Sequence, residues 1–97
     1  MTASRFDELI HQSTRLSIMS LLAPADWIEF AFIRDQLGLS DSALSKQLST
    51  LQDAGYITLD QIVGQGRRRL RAQLTPAGRG AFHEHVAALR EIVGGAY

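Results

Sequence analysis

The sequence predicts a mainly helical α+β fold: a three-helix core, a two- to three-stranded β-hairpin and a C-terminal helix. Three observations carry that prediction. Apolar residues recur at three- and four-residue steps before residue 23 and again between 41 and 53. Two segments of alternating character flank Gly64-Gln65-Gly66. Thr75-Pro76 then opens a last helically periodic stretch that runs to Val93. With 97 residues, 45% of them apolar, the chain fits one small domain with one modest core. The expected division is a core with its hairpin over 13–75 and a C-terminal helix over 76–93.

Phe6, Leu9 and Ile10 begin an apolar face that Leu16, Met19 and Leu22 continue after Ser13, a candidate N-cap between two helical pieces. Pro24 stops that helix. Trp27-Ile28-Glu29-Phe30 is aromatic and β-branched but four residues long, so it can form only a short strand that must pair with another. Phe32, Ile33 and Leu37 give a short helix closed by Gly38, and Trp27, Phe30 and Phe32 are expected in the core.

The best-defined helix follows. Ser40 is a good N-cap, Asp41 suits the first turn, and Leu44, Leu48 and Leu51 recur at i, i+4 and i+7 up to Gly55. At 100° per residue the leucines share one face, while Ser42, Lys46, Ser49 and Thr50 point away from it and Ser45 lies on the flank. Ile57 and Leu59 alternate with Thr58 and Asp60, and Leu70, Ala72 and Leu74 alternate with Arg69, Arg71 and Gln73, giving a hairpin with an arginine-rich arm. In the last helix Phe82, Val86, Leu89 and Val93 step by four, three and four.

Ten basic and ten acidic side chains cancel, yet residues 1–60 hold four basic and eight acidic groups and residues 61–97 hold six and two. Between Gln61 and His83 stand Arg67, Arg68, Arg69, Arg71 and Arg79 with no acid, so an anion is expected to land there. The zero sum excludes a polybasic wrapper as the main mode of nucleic-acid binding. Without cysteine there is no disulfide framework and no thiolate zinc site. The start lacks a signal peptide's apolar stretch, no run approaches the ~20 apolar residues of a membrane span, and a cytoplasmic location is expected.

A tri-helical core of this order presents one polar helix while a basic ribbon projects beside it, and such a helix fits the B-DNA major groove, about 12 Å wide. Short hydroxyl side chains let the backbone approach bases, and Lys46 with the helix N-terminus attracts phosphate. Consecutive strand residues alternate faces, so Arg67 and Arg69 share one side and Arg68 takes the other.

Leu37-Gly38-Leu39-Ser40-Asp41-Ser42-Ala43-Leu44-Ser45-Lys46-Gln47-Leu48, Leu51, Ala54-Gly55-Tyr56-Ile57 and Leu74-Thr75-Pro76-Ala77-Gly78-Arg79 resemble a winged helix-turn-helix transcription regulator of the MarR/ArsR-like group, of the small single-domain type. The resemblance runs from about His11 to Val93. It implies a DNA-binding homodimer with a recognition helix at 41–53 and a wing tip at 64–68, the wing as a whole reaching Arg69. By the same resemblance Ser42, Ala43, Ser45 and Lys46 occupy positions that meet bases and phosphates, and with the polar helix face and the wing the expected DNA-facing set is Ser40, Ser42, Ala43, Ser45, Lys46, Ser49, Thr50, Gln65, Arg67, Arg68 and Arg69. Phe6, Leu9, Ile10, Phe82, Val86, Leu89 and Val93 are the candidate dimer seam, the reading expected of more apolar surface than one small core needs.

The cysteines of thiolate metal sensors are missing, as is the long helical extension of many MarR proteins, which leaves any effector open. His11, His83 and His85 read as surface residues; His83 and His85, about 200° apart, cannot share an ion within a chain, which leaves as the lesser alternative a site shared across a dimer by His11 with His85 or His83 with Glu84. No nucleophile elbow, phosphate-cradling glycine loop or metal-ligand motif is present, so neither enzyme activity nor a cofactor is expected. The rival readings are a protein-interaction module on the same fold and an effector- or metal-sensing regulator.

Overall fold

In a computed structural model residues 5–64 and 67–94 are described, excepting the side chains at 67 and 68. The elements run α1 (Glu8–His11), α2 (Ser13–Leu22), β1 (Ile28–Glu29), α3 (Phe30–Leu37), α4 (Asp41–Asp53), β2 (Ile57–Gly64), β3 (Arg67–Leu74) and α5 (Pro76–Gly94). The strands form one antiparallel sheet in the order β1-β3-β2. The short strand finds its partner, with Ile28 opposite Ala72 and Glu29 opposite Arg71. The hairpin register holds without a bulge from Ile57 opposite Leu74 to Gly64 opposite Arg67.

Local chemistry explains the boundaries. Asp7 caps α1 by accepting the amides of Leu9 and Ile10. The break before α2 is capped by Gln12, which takes the Arg15 amide at 2.9 Å, so the cap lies one residue ahead of the expected Ser13. Gly38 closes α3 at φ 65°, and Ser40 caps α4 by accepting the Ala43 amide at 3.1 Å, both as the sequence predicts.

One apolar cluster joins the elements: Ile10, Ile18, Met19, Leu22, Ile33, Leu44, Leu48, Leu51, Ile57, Ala72 and Leu74. Two aromatic expectations fail. Phe32 is 51% exposed and Trp27 43%. On α3 the inward line is Phe30, Ile33 and Leu37, and Phe32 sits 100° away from Ile33. Trp27 precedes β1 and lies under Arg71, whose guanidinium carbon is 5.0 Å from the ring centroid.

The start of α5 is fastened to the turn after α4. Gly55 has φ 83°, and its carbonyl accepts the Thr75 hydroxyl at 2.6 Å. The Tyr56 carbonyl accepts the Thr75 amide at 3.0 Å, and Thr75 Oγ1 in turn accepts the Gly78 amide at 2.9 Å. Gly78 is buried so closely that a Cβ there would lie 2.0 Å from the Tyr56 carbonyl oxygen. The helix then buries Gly78, His85 and Ala88. The expected stripe borders this line instead: Phe82, Val86 and Leu89 are half-buried, and Val93 is exposed. His85, expected at the surface, is fully buried, because it lies seven residues after Gly78 and three before Ala88 on the inward face.

Candidate nucleic-acid interface

The α3–α4 pair is set at a fixed angle by its turn. The Leu39 amide donates to the Arg34 carbonyl at 3.0 Å, and the Arg34 guanidinium binds the carboxylates of Asp35 and Asp41, both at 2.9 Å. Those hydrogen bonds, Asp35's first and Asp41's second, raise the Arg34 pKa, so the guanidinium stays charged.

On α4 the leucines at 44, 48 and 51 are buried, whereas Ser42, Ser45, Lys46 and Ser49 are exposed on the other side. The geometry thus brings these four together on one open face. Ser40 is exposed but engaged, capping the helix and lying 3.3 Å from the Ser42 hydroxyl. Thr50 is half-buried and donates back to the Lys46 carbonyl at 3.1 Å, and Ala43 is half-buried. Gln47 faces inward enough for its Oε1 to accept Arg15 Nη1 at 2.7 Å, while Arg15 Nε donates to the Leu9 carbonyl at 2.6 Å.

The wing projects as β2 and β3. Gln65 lies outside the described residues, as do the side chains of Arg67 and Arg68. The remaining arginines of the basic run have partners within the fold. Arg69 pairs with Glu29 at 3.1 Å, Arg71 stacks on Trp27, and Arg79 donates to the Ala23 carbonyl at the end of α2 at 2.7 Å. Within the basic run Arg71 and Arg79 are thus engaged by the fold, although the buried Nε of Arg71 has no hydrogen-bond partner among the described residues. Arg69 shares the outer face of the sheet with Glu29.

At the candidate seam, Ile10 belongs to the chain's own core, since α1 buries it completely. Leu9 and Phe82 are half-buried and pack against that core. Phe6 is 38% exposed, and Ile92, which periodicity alone passes over, is 61% exposed beside Val93. Sequence reasoning also missed Arg15 and the meeting of His11 with His85 within one chain, a pair it considered only across a dimer; the one signal for that meeting was the inward spacing of residues 78, 81, 85 and 88. Among the described residues no three His, Cys, Asp or Glu side chains gather to hold a metal ion, and no described helix is long and apolar enough to cross a membrane.

Comparison with known proteins agrees with this geometry. A transcriptional regulator homologue from Pyrococcus horikoshii OT3 superposes with a TM-score of 0.88, at 21% identity over 93% of this chain and 89% of that one. A double mutant of Lactococcus lactis ZitR superposes with a TM-score of 0.70 at 26% identity, over 88% of this chain and 57% of that one. A Methanocaldococcus jannaschii protein is 25% identical over 85 residues, which are 88% of this chain and 92% of the relative. The family profile of the winged helix DNA-binding domain matches residues 14–93, from the second residue of α2 to the penultimate residue of α5. The chain therefore belongs to the winged helix DNA-binding domain family.

Proposed function

We propose that the chain is a sequence-specific transcription regulator that acts on cytoplasmic DNA as a homodimer and represses. In this reading α4 enters the major groove, and the wing at 64–69 lies on the backbone or in the minor groove. The observation that carries it is the open face of Ser42, Ser45, Lys46 and Ser49 above a fully buried leucine stripe. Three hydroxyls and one ammonium without a bulky apolar group suit close approach to base edges and phosphates. Ile92 and Val93, exposed beyond half-buried Val86 and Leu89, support a second copy along α5. The chemistry is recognition, without a catalytic residue and without a cofactor.

Selection of bound duplexes from a random DNA library tests this. Enrichment of two half-sites about one helical turn, 34 Å, apart is the expected result. A library that emerges unenriched overturns sequence-specific binding, and a single unpaired half-site overturns the dimer. Repression is checked by placing the selected site over a reporter promoter, where rising expression would reverse the sign.

A further inference from the structure

His85 is fully buried, and both of its ring nitrogens are engaged. Nδ1 accepts the backbone N–H of Asp7 at 3.0 Å, which makes it the unprotonated nitrogen. Nε2 therefore carries the proton and donates to Nδ1 of His11 at 3.3 Å. Phe6 closes over both imidazoles, its ring centroid 4.7 Å from each. A second proton on His85 would face the Asp7 N–H, so the docked arrangement favours a neutral His85.

Several other groups face this pair. Asp7 is engaged by the Leu9 and Ile10 amides and by the Tyr56 hydroxyl, whose pKa that hydrogen bond raises. Glu8 lies on α1; Glu84, adjacent on α5, accepts the Arg5 amide at 3.2 Å; and Arg15 holds the Leu9 carbonyl. Asp7 and Glu8 favour a charged His85, yet burial first and His11 second prevail, and its pKa falls below the ordinary 6.5. The seam between segment and body is not filled: a cleft of about 340 Å³ opens between Arg5, Phe6 and Asp7 on one side and Tyr56, Ala81 and Glu84 on the other.

We propose that residues 5–11 form a strap latched by the His11–His85 pair, which undocks from α5 under mild acidity and so withdraws the Leu9 carbonyl that steadies Arg15 on Gln47 of α4. The strap's response exists with or without DNA, so it stands apart from the DNA-binding reading. Above pH 6.5 the docked and undocked forms bind the same number of protons at His85. Below it the undocked form binds one that the docked form refuses, so docking weakens up to about tenfold per pH unit until the depressed pKa is passed.

The test is a nuclear magnetic resonance titration of the DNA-free full chain between about pH 7.5 and 5.5, above the range where exposed carboxylates titrate. The Asp7 amide and the Gln47 side-chain amide are expected to shift together with the His85 ring, at a midpoint below 6.5. A double variant, His11→Gln with His85→Asn, places the Asn amide oxygen where Nδ1 accepts the Asp7 amide and cannot charge, so its signals should stay flat across the range. A His85 ring that titrates at or above 6.5, or one that titrates while the Asp7 amide stays still, overturns the proposal. So does a double variant that undocks at the wild-type midpoint. If that variant fails to fold, the wild-type titration decides alone.

Discussion

Arg69 and Glu29 are joined across the outer face of the sheet, Nε to Oε1 at 3.1 Å, tying the wing's root to β1. Arg69 is thus a wing charge with a partner inside the fold. Replacing Arg67 and Arg68 with alanine should weaken binding to specific and random DNA alike, flattening the slope of log K against log salt by about 0.9 per lost phosphate contact. Arg69→Ala should flatten that slope by less than either of the other two, because Glu29 already neutralises part of its charge. Salt-dependent anisotropy measures both; a steep change from Arg69→Ala alone would place Arg69 on DNA.

Ser45 and Lys46 are neighbours on the open face of α4 but should fail differently. Lys46→Ala should lower affinity uniformly across sequences. Ser45→Ala should cost about 1–3 kcal/mol at one or two base positions if its hydroxyl meets a base edge. Selected-site profiles that overlap everywhere for Ser45→Ala and the parent would mean that the reading face is rotated away from Ser45.

Gly78 and Gly80 give opposite outcomes on one helix. Gly78→Ala forces a methyl toward the Tyr56 backbone, 2.0 Å from its carbonyl oxygen, and overpacking of this kind costs about 1–3 kcal/mol or more. Gly80 meets nothing within 4 Å, so Gly80→Ala should stabilise α5 by about 0.5–1 kcal/mol. Thermal unfolding of the two variants should therefore move Tm in opposite directions; a Gly78→Ala protein as stable as the parent would contradict the packing described.

Val86 and Leu89, half-buried at the middle of α5, should expose the seam if two copies pair there. Val86→Asp with Leu89→Asp places two carboxylates per chain in an apolar contact, where unpaired burial costs several kcal/mol each. The expected product sediments as a folded monomer with helical circular dichroism retained and weak affinity for a paired site. An unfolded mutant would assign both residues to the chain's own core, and one that stays dimeric would move the seam to the N-terminal segment.

Periodicity and end signals were enough to find the helices, the hairpin and the Gly38 and Ser40 caps, because those features are written within a few residues of themselves. What they could not supply was azimuth. The α5 stripe of Phe82, Val86, Leu89 and Val93 is genuine in spacing, yet the buried line runs one residue to the side, through His85 and Ala88, because Gly78 sets the helix's rotation against Tyr56. The four exposed residues of the α4 face were legible for the opposite reason: three leucines at i, i+4 and i+7 fix a rotation without outside help. The fates of Arg69, Arg71 and Arg79 were hidden because Glu29, Trp27 and the Ala23 carbonyl lie 40 to 56 residues away in the chain.

The Gly55–Thr75–Gly78 fastening has a kinematic consequence. It leaves no free joint between the end of α4 and the start of α5, so the two helices turn as a single crank. If two copies meet along α5, the angle at which those helices cross sets how far apart the two α4 helices stand. A small change of tilt at the seam becomes a change of reach at the DNA. Substitutions far from any base, at Thr75 or along the seam, would then change which half-site spacing the pair can straddle while each half is still read correctly.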